Sequence, residues 1–244
     1  MMNLIRAELL KARATRSFWA LAAIAVAYCL GWAATEVFAF LQPGGHIEDT
    51  YGMAQQGNVF VMVLAIHMTA GEYRHKTITW AYLVTPRRGH VITAKLLSAA
   101  LVGALIGVAA AVVTGGGAAI MLSATGHPVF TSGVPGVLLA SVLAMALWAV
   151  FGASLGLLIR NLSAATTVAF LWFAYIEWML MTFVPGIARW LPTGASEAIV
   201  GFSRTGFPTA GGMLPMWGGA LLFLGYALVA ASAARVVSVN RDVT

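Results

Sequence analysis

Six long apolar runs, each nearly free of charge, dominate this sequence: approximately 18–41, 52–70, 96–122, 135–159, 164–184 and 214–236. A helix rises about 1.5 Å per residue, so crossing about 30 Å of hydrocarbon takes about 20 apolar residues. The runs therefore predict an all-α fold: a polytopic membrane protein with six transmembrane helices. They are continuous and lack the in/out alternation of barrel strands. The second run is the weakest, because Gln55, Gln56 and Asn58 occupy its start. The first follows a basic segment, but it exceeds the about 7–15 apolar residues of a signal-peptide core and reads as an uncleaved anchor. Only 9% of the residues are charged and 60% are hydrophobic, against about 25% charged in a soluble domain. A soluble enzyme, a disordered tail and a nucleic-acid-binding domain are disfavoured, and no nucleic-acid partner is expected.

The placement of the charges orients the runs. Arg6, Lys11, Arg13 and Arg16 precede the first run. Arg74, Lys76, Arg87, Arg88 and Lys95 lie between the second and third, Arg160 between the fourth and fifth, and Arg235 and Arg241 after the sixth. Twelve of the 14 basic residues thus share one side, and only Arg189 and Arg204 take the other. By the positive-inside rule the N and C termini are cytoplasmic, and the even number of spans agrees by placing both termini on one side. With Glu8, Glu72 and Asp242 the inner side nets +9, the outer side nets −1, and Glu36 and Glu177 within the runs bring the total to +6. Aromatic residues mark both boundaries, with Phe18 and Trp19 inside and Phe38, Phe40, Trp190 and Trp217 outside.

The chain reads as a single transmembrane domain over 1–244. Its non-spanning parts are a segment at 1–17, a cytoplasmic loop at 71–95 and an extracytoplasmic loop at 185–213 that holds a short helix around 196–200. Neither long loop can bury a core of its own. The lone Cys29 excludes an internal disulfide.

Few residues could carry chemistry. No lysine follows a glycine, so a Walker A phosphate loop is absent and the chain is not expected to be an ATP-hydrolysing enzyme by itself. Gly152-Ala153-Ser154-Leu155-Gly156 fits the G-x-S-x-G elbow of hydrolases. That motif needs a strand–turn–helix context, whereas here it falls inside a spanning run. Gly152 and Gly156, like Gly103 and Gly107, read instead as small-xxx-small surfaces for close helix packing. His67, Glu72 and His75 lack further ligands at metal-binding spacing, so no metal and no catalytic residue is expected. Two carboxylates fall within runs. Glu36 lies about 27 Å beyond Phe18 along a helix and reaches the outer interface, while Glu177 lies about 20 Å into the fifth run. A charge at the bilayer centre costs about 2.5–3.5 kcal/mol on insertion scales, so Glu177 must face protein or water. It serves either a translocation path or a helix contact.

In the cytoplasmic loop, Tyr73, Thr77, Trp80 and Val84 fall on one face of a helix. Thr85 before Pro86 disfavours its continuation. Such a helix either lies on the membrane surface or docks a soluble partner; the off-stripe Ile78 and Tyr82 leave both readings open.

The run Gly71-Glu72-Tyr73-Arg74-His75-Lys76-Thr77-Ile78, then Thr85-Pro86-Arg87-Arg88, then Lys95, resembles small permease subunits of type-2 ABC exporters of actinobacterial kind. Glu8-Leu9-Leu10-Lys11, Thr15-Arg16-Ser17 and Pro192-Thr193-Gly194-Ala195 are similar to the same family. The resemblance implies a multi-pass protein of the bacterial plasma membrane. It implies as partners a separate ABC ATPase subunit, which binds the ATP and Mg, and a second permease chain in a homodimer or heterodimer, all within the lipid bilayer. The chain itself would bind no cofactor. Residues 1–17 would form an elbow helix, and the outer 185–213 segment would be re-entrant or interfacial. Within 71–95 the ATPase-coupling candidates are Glu72, Tyr73, Arg74, Thr77, Trp80, Arg87 and Arg88. Two other classes compete: an autonomous ion-coupled secondary transporter or channel using Glu177, and an intramembrane hydrolase using Ser154.

Overall fold

In a computed structural model, which describes residues 1–75, 77, 78, 80, 83, 87–202 and 212–240, every regular element among the described residues is a helix. The chain opens with α1 (Met2–Ala14), and Thr15 breaks to extended backbone before α2 (Arg16–Thr35). A π turn, Glu36–Phe40, prolongs α2. The short α3 (Ile47–Gly52) and a 3-10 turn, Met53–Gln55, lead into α4 (Asn58–Arg74). Then come α5 (Arg88–Ala124) and α6 (Val134–Ile159). The next rod is α7 (Leu162–Leu171), a π turn at Trp172–Ile176 and α8 (Glu177–Phe183). Two short helices, α9 (Pro185–Ala188) and α10 (Pro192–Val200), precede α11 (Met216–Asn240).

Five stretches are long and apolar enough to cross a membrane: Arg16–Phe40, Arg88–Ala124, Val134–Ile159, Leu162–Phe183 and Met216–Ser238. Their outward faces carry large exposed apolar side chains such as Leu105, Val112, Ile120, Leu139, Trp178 and Val229. Continuous apolar surface of this extent marks a membrane-embedded protein. The third expected run starts earlier than its hydropathy indicates: α5 begins at Arg88 and spans 37 residues, about 55 Å.

The second expected run departs furthest from a simple span. Its first residues form the 3-10 turn, and the α-helix starts only at Asn58 and runs for 17 residues, largely buried. The reason lies at Gly57. A side chain there would collide with the backbone of Ala25 in α2. The Gly57 N–H donates to Cys29 Sγ at 3.1 Å, while that thiol donates to the Ala54 carbonyl at 3.2 Å. The amide-bearing start of the run thus enters the bundle beside the middle of α2, where protein covers its irregular backbone, as membrane depth demands.

The most buried of the five stretches is α6, and small residues let its neighbours approach it from two sides. A Cβ at Gly103 would lie 2.5 Å from that of Ala149, and one at Gly107 would lie 3.0 Å from Val142 Cα, so both glycines seat α5 against α6. A Cβ at Gly152 would collide with the Met62 backbone, and one at Gly156 with Thr69 Oγ1, so this pair seats α4. Without a hydrophobic drive between helices in lipid, such backbone approach is what holds spans together. On a third side Trp148 meets Phe173 and Phe223 edge-to-face at 5.0 and 4.9 Å. Ser154 sits inside α6, fully buried, its hydroxyl donating to the Val150 carbonyl at 2.7 Å.

Candidate functional site

Glu8 and Lys11 are three residues apart and therefore share a face of α1. α1 packs across the first turns of α5, which brings this face against Lys95, two turns into that helix, and against Glu72 near the end of α4. The four side chains close into a ring. Lys11 Nζ lies 2.6 Å from Glu8 Oε1 and 2.7 Å from Glu72 Oε1. Lys95 Nζ lies 2.9 Å from Glu8 Oε2 and 2.7 Å from Glu72 Oε2. Each carboxylate bridges both ammonium groups, so every charge has two opposite neighbours and the ring is neutral. The Lys95 side chain is 1% exposed, whereas that of Lys11 is 51% exposed at the rim. Burial alone would lower the Lys11 pKa; its hydrogen bonds to Glu72 and Glu8 outweigh that and hold it above 10.5.

Beside the ring, between α1, the start of α2 and the second half of α4, lies a cavity of about 310 Å³. Its rim is polar and exposed: Lys11, Thr15, Ser17, His75 and Thr77. Its inner wall is apolar, with Phe18, Leu21, Leu64, Met68 and Leu162. Glu72 is committed to the two lysines, and His67 and His75 line the cavity.

The helical stripe read through Tyr73, Thr77 and Trp80 is interrupted. α4 ends at Arg74, and the Thr77 N–H folds back onto the Glu72 carbonyl at 3.0 Å. Tyr73 turns inward, under the Arg160 guanidinium at 5.4 Å from the ring centroid, a cation–π contact. Arg160 closes α6 in the left-handed conformation, at φ 56°, and donates to the Val237 carbonyl of α11 at 3.1 Å. Ile78, Trp80 and Leu83 are helical; Ile78 is buried, while Trp80 and Leu83 are 71% and 67% exposed. Arg74, Thr77 and Arg87 are exposed and Arg88 is half-buried. Val84, Lys76, Tyr82, Thr85 and Pro86 lie outside the described residues.

A second polar group sits half-way along the bundle. Trp148 Nε1 donates to Ser196 Oγ at 2.9 Å, and Ser196 Oγ donates to Gln55 Oε1 at 2.9 Å. Gln56 Nε2 donates to Glu197 Oε1 at 3.1 Å. α10, the short helix expected in the outer loop, is buried from Gly194 to Val200, so it dips into the protein. Glu177, fully buried directly after the π turn, accepts the Thr193 N–H at the start of α10 at 2.6 Å, while its Oε2 has no hydrogen-bond partner among the described residues. Acceptance at a helix N-terminus is favourable for a carboxylate. Glu36 is buried against protein in the first π turn, at the end of α2. Sequence reading missed Ser196, Trp148 and the pairing of Glu8 with Lys95. For Gln55 and Gln56 the signal was present, as amides inside an apolar run.

No protein-family model and no curated protein matches the chain, so the site is read from its own geometry.

Proposed function

We propose that this chain is the membrane-spanning permease subunit of an ATP-driven exporter of the type-2 ABC kind. It forms the translocation path with a second permease chain and couples to a separate ATPase subunit. Six spans with both termini cytoplasmic belong to this reading: α4 counts as a short second span, completed on its far side by α3 and the 3-10 turn. The observation that carries the reading is the charge ring. It binds α1, the end of α4 and the start of α5 into one body at the base of the segment that presents Trp80, Leu83 and Arg87 to solvent. A push on that segment reaches three helices together. A separate ATPase, holding the ATP and Mg, could bias the bundle between two states through such a contact.

The test is co-expression with an ATPase encoded beside the gene. The ATPase is expected to co-purify, and Trp80→Asp or the pair Arg87→Glu and Arg88→Glu is expected to abolish stimulated hydrolysis while leaving the permease's thermal unfolding unchanged. Transport by the isolated chain on an ion gradient would overturn the reading in favour of an ion-coupled transporter. That second reading draws on one observation, the buried Oε2 of Glu177, which has no hydrogen-bond partner among the described residues, and undiminished transport by Glu177→Gln would remove it.

A further inference from the structure

The cavity beside the charge ring is lined by ionic groups and by apolar ones. Its volume of about 310 Å³ falls at the lower end of the about 300–1,000 Å³ typical of small-ligand sites. With these helices across a bilayer, the cavity falls near the membrane surface. The lipid-facing helix α2 begins beside it, and Trp19 in the first turn of α2 is exposed and donates Nε1 to the Arg13 carbonyl at 3.0 Å, the posture of an interfacial tryptophan. This placement needs only that the helices cross a bilayer, so it stands or falls independently of the ATPase-coupled reading.

The electrostatics of the mouth favour an anion. The carboxylates of Glu8 and Glu72 are balanced by Lys11 and Lys95, so the floor is neutral. Among the described residues, the exposed charges nearest in sequence to the rim are Arg13, Arg16 and Arg74, all positive. Lys11 has three N–H donors, of which Glu8 and Glu72 take two. The third remains on a group half exposed at the rim of a cavity that Ser17 and His75 also line. A free phosphate would leave the wall of Phe18, Leu21, Leu64 and Met68 uncovered. A phosphate that carries an acyl chain covers both.

We propose that this cavity is a binding site for an anionic phospholipid, with the phosphate at Lys11 and the first acyl segment along Phe18, Leu21 and Met68. The lipid wedges between α1 and α4 and holds α1 against the bundle.

The test uses the full chain in phosphatidylcholine nanodiscs with and without phosphatidylglycerol, and in detergent with inorganic phosphate alone. Native mass spectrometry is expected to find one phosphatidylglycerol retained per chain, with a higher thermal midpoint in its presence and no effect of phosphate alone. Lys11→Gln removes one basic contact and is expected to weaken retention about fivefold. Because that change also opens the ring, Ser17→Trp provides the second variant. It blocks the mouth from an exposed position, and it is expected to abolish retention while the protein unfolds at its usual temperature in phosphatidylcholine. Equal retention of phosphatidylcholine, full retention by Ser17→Trp, or equal stabilisation by inorganic phosphate would each overturn the proposal.

Discussion

The bundle is tied at two places, by different physics. Beside α1 the tie consists of four full charges, each 2.6–2.9 Å from an opposite one. Half-way along, around α10, it is mainly neutral, an indole, a hydroxyl and an amide in series, with hydrogen bonds of 2.9 Å. Similar distances conceal unlike sensitivities. A buried ion that loses its partner keeps its desolvation cost, whereas a neutral group that loses one hydrogen bond keeps a much smaller one. The charged tie should therefore be intolerant of single changes and tolerant of wholesale replacement, and the neutral tie should show neither trait strongly.

The largest expected effect follows from that contrast. Lys95→Met strands Glu8 and Glu72 with one exposed partner and should cost about 3–5 kcal/mol in chemical unfolding. Replacing all four members together, Glu8→Leu, Lys11→Met, Glu72→Leu and Lys95→Met, should recover most of that loss. If the single variant is as stable as the parent, the charged tie is not a tie. Gly152→Val tests packing common to both regions: the added side chain meets the Met62 backbone and should cost at least about 1–3 kcal/mol as overpacking, read by the same unfolding curve. Ser196→Ala removes the hydroxyl between Trp148 and Gln55 and should cost about 1 kcal/mol, close to membrane-protein hydrogen-bond averages. A loss as large as that of Lys95→Met would erase the distinction. The smallest effect concerns a charge in the short helix α3. Thr131 Oγ1 donates to Glu48 Oε1 at 2.6 Å, which holds that carboxyl below 4.5. A depressed carboxyl contributes stability above its unfolded pKa and loses it as pH falls through the folded value. Thr131→Val should move the Glu48 titration upward toward 4.5 in a carboxyl NMR titration, with a stability loss present near neutral pH and absent in acid.

The two regions also differ in how far the sequence disclosed them. Glu177, Gln55 and Gln56 stand out because a polar residue inside an apolar run is conspicuous at any fold. Ser196, which donates to Gln55, and Trp148, which donates to Ser196, are ordinary in their own surroundings, and only the inward dip of α10 selects them. The charged ring was harder to read. Lys11 and Glu72 are 61 residues apart, and Lys95 and Glu8 are 87 apart. Within a basic flank each looks like a solvated charge. Periodicity also misled where an element ended: Tyr73 and Trp80 share a face only if one helix contains both, and α4 stops at Arg74. The apolar runs were legible because hydrocarbon imposes one length and one polarity on anything that crosses it. The exception, the run at 52–70, was the one whose start carried the amides.

α5 is the longest uninterrupted helix, 37 residues from Arg88 to Ala124, whereas α2 and the α7–α8 rod each pass through a π turn. A rod of about 55 Å acts as a balance beam: pivoting it by about 5° around its centre displaces each tip by about 2.4 Å. Its fulcrum is the glycine-lined contact with α6, and the ring loads one arm. Small angular changes at Lys95 would thus be felt as translation near Leu122, with no residue in between changing its own conformation.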